Sequence, residues 1–388
     1  MRHHGFVLAS LLLLCAVRVA CGQMLDTVLP DGIPGYGDKV GVTAPHPDTR
    51  LVAPALALAG GYDSAPNGAA GSLVYDLAPQ VLVTDPLLGF GAFAAGTWAV
   101  YPQNRAQNTS ATTLAFGERV VLPRETITLS GGVLRTQESG FEIGTIGITK
   151  PAPFTLTDLR ASDVVTLGPF NLTPEISLSD FRFPSQAVQN RRDDRERATL
   201  AYLPGSPLSL VLRLQATQSL YRDQTFNADT EALLAGLVDT ADGLWTFSAL
   251  AGFAQRRPRQ GNNLVAPVLE AGLDWLPSVL DHLRLTLARE IDDPDEISAA
   301  PYTLTQAKFL FRRSTTKATT VQISAEADHA DYLHSPDQET VYRAGATLSW
   351  QMNALLALNA AYAFNDRQAN YVAAANEHVV TIGATWTP

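Results

Sequence analysis

Leu208-Ser209-Leu210-Val211-Leu212-Arg213-Leu214-Gln215-Ala216-Thr217-Gln218-Ser219 is the stretch whose reading decides the fold. Leu208, Leu210, Leu212, Leu214 and Ala216 occupy every second position, with Ser209, Arg213, Gln215, Thr217 and Ser219 between them. Successive side chains of a β-strand point to opposite faces, so one face here is apolar and the other polar. The pattern recurs downstream. Val321, Ile323, Ala325 and Ala327 alternate with Gln322, Ser324, Glu326 and Asp328, and Leu356, Leu358, Ala360, Tyr362 and Phe364 oppose Asn359 and Asn365.

A soluble sandwich shows the same alternation with its apolar side turned inward, so the medium meeting that face has to be decided. About ten residues per segment is the length that crosses a bilayer at a tilt of roughly 45°, whereas soluble strands average nearer five or six. Aromatic residues stand near segment ends on the apolar face: Tyr202, Trp245, Trp275, Tyr342, Trp350 and Trp386 are the expected interfacial girdle. Connections alternate in length as well. Compact turns are expected at Leu203–Pro207, Asp239–Gly243, Leu276–His282, Arg313–Lys317 and Met352–Ala354. Longer polar loops are expected at Pro184–Asp194, Arg222–Ala228, Arg256–Asn262, Asp292–Ala300, Leu333–Glu339 and Asp366–Ala375.

These features predict an all-β chain: one transmembrane antiparallel up-and-down β-barrel of about eighteen strands, with sixteen the alternative, short periplasmic turns and longer extracellular loops. Ser139–Gly168 blurs into Gly, Pro and Thr and reads as a long loop able to fold inward. Barrels of this class commonly end on an aromatic residue. Here Pro388 is terminal and Trp386 the nearest substitute.

Mean hydropathy is +0.02, and no run of about 18 apolar residues follows the N-terminus, so helical spanning is out. Residues 1–22 read as an export signal: Arg2, an apolar run from Gly5 to Val17, then Ala20-Cys21-Gly22 with small residues where the peptidase cuts. Lipidation at Cys21 is the competing reading, but Arg18 stands where lipoproteins usually carry Leu. Both cysteines, Cys15 and Cys21, lie in that segment, so the mature chain has no thiol chemistry. Residues 23–49 are an irregular, Pro- and Gly-rich periplasmic lead-in, and 50–388 the barrel. A net charge of −10 argues against nucleic acid as a partner.

Strand parity places Arg213, Glu270, Asp274, Arg284, Lys308, Glu326, Asp328 and Arg343 on the inner wall. They are read either as a mixed-charge channel lining or as a salt-bridged network that stiffens the interior. Asn190-Arg191-Arg192-Asp193-Asp194-Arg195-Glu196-Arg197 reads as a solvated outer loop with local ion pairs, the alternative being an anion site. Arg256-Arg257-Pro258-Arg259, being net positive, is the better anion candidate.

No catalytic, cofactor or metal residue is assigned. Asp328-His329-Ala330-Asp331 sets acid and imidazole near a rim, but Asp328 and His329 face opposite sides of a strand. No Gly-x-Ser-x-Gly elbow occurs. Asp292-Asp293-Pro294-Asp295-Glu296 lacks the glycine-turned calcium loop and reads as an acidic exterior loop. The Asn108-Thr109-Ser110 sequon has no meaning in a bacterium.

Val52-Ala53-Pro54-Ala55-Leu56-Ala57-Leu58-Ala59-Gly60-Gly61-Tyr62-Asp63-Ser64, then Gly71-Ser72 and Ala78-Pro79, resembles the first strands of the β-barrel porin family, type 2. That family closes this run on Tyr-Asp-Ser/Asn-Asn, and Ala65 and Pro66 depart from it. Ala361-Tyr362-Ala363-Phe364-Asn365-Asp366-Arg367-Gln368-Ala369-Asn370 is similar to the family's Tyr-x-Tyr-x-x-Arg-x-Ser-Asn. The resemblance implies a porin-like channel in the outer membrane of a Gram-negative bacterium, and a role around exopolysaccharide export. It implies lipids and lipopolysaccharide, the outer-membrane insertion machinery and polysaccharide export components as partners. A non-conducting structural or adhesin-like barrel is the first alternative and a rim hydrolase the second.

Overall fold

The computed structural model describes residues 33, 51–85, 87–145, 150–185, 190–203, 208–239, 244–293, 301–333 and 335–388. They form β1 (Leu51–Asp63), β2 (Ser72–Asp85), β3 (Phe90–Val100), β4 (Thr109–Val121), β5 (Glu125–Glu138) and β6 (Ala152–Leu167). There follow β7 (Phe170–Arg182), β8 (Arg191–Tyr202), β9 (Leu208–Tyr221), β10 (Ala228–Asp239), β11 (Trp245–Pro258) and β12 (Leu264–Ser278). The last six are β13 (Asp281–Asp292), β14 (Tyr302–Ser314), β15 (Thr319–Tyr332), β16 (Gln338–Gln351), β17 (Leu356–Ala369) and β18 (Ala375–Trp386).

Each strand pairs antiparallel with the next, and β1 pairs with β18, setting Leu56 opposite Trp386 and Asp63 opposite Val379. The sheet is therefore a closed ring of eighteen strands, not sixteen. Closure follows from the solvent: in hydrocarbon every backbone N–H and C=O must bond within the protein, and a ring leaves no edge. Among the described residues no helix is long and apolar enough to cross a membrane.

The parity of the Leu208–Ser219 stretch holds in space. Leu208, Leu210, Leu212 and Leu214 are exposed on the outer surface, while Val211 and Arg213 are buried within. Strands run from eleven to sixteen residues, beyond the roughly 9–11 that span the hydrocarbon. The excess carries outward charges at the long-loop end, paired as Arg182–Asp180 (2.7 Å), Arg192–Asp194 (2.6 Å) and Arg257–Glu231 (3.0 Å). The other end turns tightly. Gly168 takes φ +64 in the two-residue link between β6 and β7, a left-handed conformation that glycine adopts without steric cost.

Three sequence expectations change here. Arg191–Arg197 is not loop but the first half of β8, and Arg256–Pro258 ends β11. Both were read as loops because charges fall on both faces, as they do wherever a strand rises past the lipid. Ser139–Gly168 divides: Ala152–Leu167 is β6, and only the segment before it leaves the wall. Residues 1–22 and 23–49 lie outside the described residues except Ile33. That side chain is 1% exposed and packs on inner-wall Phe93, Leu134, Phe154, Leu156 and Phe181.

Candidate functional site

The inner wall and the segment that crosses it make the site. Ser139–Thr145, which follows β5, is buried throughout. Its shape comes from its own short-range bonds: the Thr145 hydroxyl donates to the carbonyls of Ser139 (2.8 Å) and Glu142 (2.7 Å), and Gly144 takes φ +79. This strap docks on strands far away in sequence. Arg343 of β16 donates to the Phe141 carbonyl (2.9 Å), and Arg367 of β17 to the Gly140 carbonyl (2.5 Å). The Gly140 N–H donates to Asn67 Oδ1 (3.1 Å), in the loop after β1, and the Gly144 N–H to Glu339 Oε2 (3.1 Å). Ile143 packs among Tyr302, Leu304, Tyr332 and Val341. Backbone polar groups of a buried loop must find partners, and here the wall supplies them.

Glu339 is the most loaded anchor. Its Oε2 also accepts from the Tyr332 hydroxyl (3.0 Å) and the Tyr371 hydroxyl (3.1 Å). Tyr371 lies in the loop between β17 and β18, where burial, then the neighbouring Glu339 carboxylate, pushes its phenol well above the ordinary value of 10.0.

The eight charged residues read from parity lie on the inward register and resolve into three groups. Arg213 pairs with Glu270 across three strand intervals. Asp274 accepts from Arg284 (2.7 Å) and stands 2.6 Å from His282 Nε2. Lys308–Glu326 (3.4 Å), Arg343–Glu326 (3.5 Å) and Arg343–Asp328 (2.5 Å) form one network, in which Gln306 donates to Asp328 (2.8 Å). Asp328 is 0% and Arg343 is 6% exposed. Buried charges need such partners, and the last group is the one that holds the strap.

Tyr202, Trp245, Trp275, Trp350 and Trp386 sit on the outer register at the compact-turn end, and Tyr342 at the other. Trp245 lies opposite Trp275 in the ladder, and Tyr202 packs against Phe170 with ring centres 5.1 Å apart.

The remaining candidates are occupied. Arg256 pairs with Asp293 (2.6 Å), Arg257 with Glu231, and Arg259 donates to Gln224 (3.0 Å). Residues 294–296 of the acidic run lie outside the described residues. His329 faces outward, its Nδ1 at 2.8 Å from the Thr340 hydroxyl and its Nε2 at 3.2 Å from Asp331, whereas Asp328 faces the lumen. Among the described residues no group of three or more His, Cys, Asp or Glu side chains is arranged to hold a metal ion.

Sequence reasoning missed the strap anchors Asn67, Glu339 and Arg367, which only closure of the ring brings together. It also missed Arg195 and Arg197 on the inner wall. For these a signal existed: extending the alternation of β9 back through the charge run puts both on the same face.

Among solved structures the chain is similar to Pseudomonas aeruginosa OccK2 (OpdF), at 12% identity and TM-score 0.47, covering 87% of this chain and 99% of that one. It is likewise similar to OccK1 (OpdK) of the same organism, at 11% identity and TM-score 0.47, covering 87% and 99%. The siderophore receptor PirA of P. aeruginosa is matched at 9% identity and TM-score 0.44, covering 89% and 81%. At these values the likeness carries no argument about this chain. No curated protein matches the sequence. Residues 208–387, β9 to β18, match the family model described as Putative beta-barrel porin 2, so over this stretch the closed eighteen-strand β-barrel is similar to that family.

Proposed function

We propose that the chain is a passive outer-membrane channel whose hydrated lumen is narrowed by the Ser139–Thr145 strap. The observation that carries this reading is an eighteen-strand ring with a charged inner wall, bridged by a strap whose backbone bonds to that wall. A ring of this size is wide enough for an aqueous lumen. Selectivity in such a channel comes from diameter, loop constriction and wall charge, with no covalent step.

Passage of surface polysaccharide is the finer proposal, and it rests on the family resemblance. The second reading, a non-conducting barrel acting through its loops, is favoured by one observation: large apolar side chains line part of the inner wall, with Phe154 0% exposed beneath Ile33 and its neighbours. Planar-bilayer recording of the purified full chain separates the two. Discrete conductance steps support the channel. Protein that inserts and stays silent under every applied voltage supports the closed barrel and overturns the first reading.

A further inference from the structure

Every inward acid and base named above has a partner except Arg195. Arg195, on the inward register of β8, makes no ion pair or hydrogen bond with the described residues. Its ladder neighbours are Ser177 on β7 and Thr217 on β9, and neither carries charge. The acids nearest in register are engaged elsewhere: Asp193 with Arg191 (3.2 Å) and Glu175 with Arg197 (3.6 Å). Thr217 adds a second, independent observation, because its hydroxyl oxygen is buried and has no hydrogen-bond partner.

Two further guanidinium groups lie on the same face. Arg197 is two residues along β8, and Arg213 stands opposite Thr199 on β9 and donates to its hydroxyl (3.3 Å). Glu175 and Glu270 balance these two, which leaves Arg195 as the uncompensated charge of the patch. An uncompensated cation in a partly desolvated wall attracts anions strongly. A planar guanidinium matches an oxyanion in bidentate fashion, and a neighbouring hydroxyl supplies a further donor.

We propose that Arg195 and Thr217 form an oxyanion subsite on the lumen wall, taking the carboxylate or phosphate group of a passing solute. The proposal rests on the channel reading, which it deepens by naming a substrate class: polar solutes bearing an oxyanion.

Inorganic phosphate is the probe, applied to full-length protein in planar bilayers bathed in potassium chloride. Phosphate lowers the chloride current of the native protein in a saturable way. Arg195→Gln raises the half-blocking concentration by about tenfold or more, the loss of a hydrogen bond to a charged group. Thr217→Val raises it by a smaller factor, and Arg257→Gln, whose side chain pairs with Glu231 on the outer face, leaves it unchanged. Equal block of native protein and Arg195→Gln overturns the proposal, as does a native channel indifferent to phosphate. If the protein inserts without conducting, the channel reading falls by itself. Calorimetric titration of the detergent-solubilised barrel with phosphate then decides the subsite: binding heat lost in Arg195→Gln upholds it, and no heat with the native protein overturns it.

Discussion

Arg343 donates to the main-chain carbonyl of Phe141, a residue 202 positions earlier, over 2.9 Å. One buried guanidinium thereby joins the strap to the wall. Its other nitrogen is committed to Asp328 at 2.5 Å and faces Glu326 at 3.5 Å.

Replacing Arg343 with Met removes the tether and leaves Asp328 buried beside Gln306 without its counter-charge. Breaking one side of a buried pair costs about 3–5 kcal/mol. The expected outcome is a lowered unfolding midpoint in urea, together with a larger and noisier single-channel conductance as the strap comes off the wall. A normal midpoint with unchanged conductance contradicts the assignment.

Glu339→Gln keeps the shape and removes the charge that gathers the Gly144 N–H and two tyrosine hydroxyls. Hydrogen bonds to charged groups contribute about 1.5–3 kcal/mol, so the strap loosens without the barrel opening. Amide exchange at Gly144 should accelerate about tenfold or more. The Tyr371 phenol offers an optical readout. Its ionisation is held above the ordinary value of 10.0, so this contribution to stability is complete below pH 10 and fades as pH rises toward the folded value. In Glu339→Gln the absorbance change of Tyr371 should move to lower pH.

Gly61 sits on β1 where a Cβ would come within 1.9 Å of the Val380 carbonyl oxygen on β18. Glycine in a strand often marks such a close backbone approach. Gly61→Val should prevent closure of the ring, read as loss of the heat-modifiable folded band on an unheated detergent gel. A variant that still migrates as folded protein refutes this account of the seam.

Trp245, Trp275, Trp350 and Trp386 share the outer surface at the compact-turn end, whereas Trp98, exposed near the end of β3, stands at the other. If that end meets a headgroup layer, lipids brominated near the carbonyl quench the four strongly and lipids brominated at the chain end quench them weakly. Single-tryptophan variants distinguish the two interfaces. Equal quenching at all depths removes the girdle.

The ring was legible because one face of each strand meets a uniform apolar medium, which prints its period on the sequence. Leu208 to Leu214 show this cleanly. Arg191–Arg197 does not, since beyond the hydrocarbon both faces of β8 tolerate charge: Arg192 and Asp194 pair outside while Arg191 and Asp193 pair inside. Parity names eight charges for the inner face, but it does not name their partners. Arg213 and Glu270 stand three strands apart, and only curvature brings them together. The strap was hardest to see. Gly140 and Gly144 advertise a bend, yet nothing local to Ser139–Thr145 names Arg343 or Glu339.

The pairing of Leu56 with Trp386 also bears on how the protein is made. Of all the ladders, the one between β1 and β18 joins the stretches furthest apart along the chain, so it carries the largest loop-closure entropy. Until it forms, β1 and β18 present unsatisfied backbone edges, each a template for another chain. Assembly is thus a race between the two ends of one polypeptide and the nearest foreign strand, and any factor that shields either end during insertion decides the yield of closed protein.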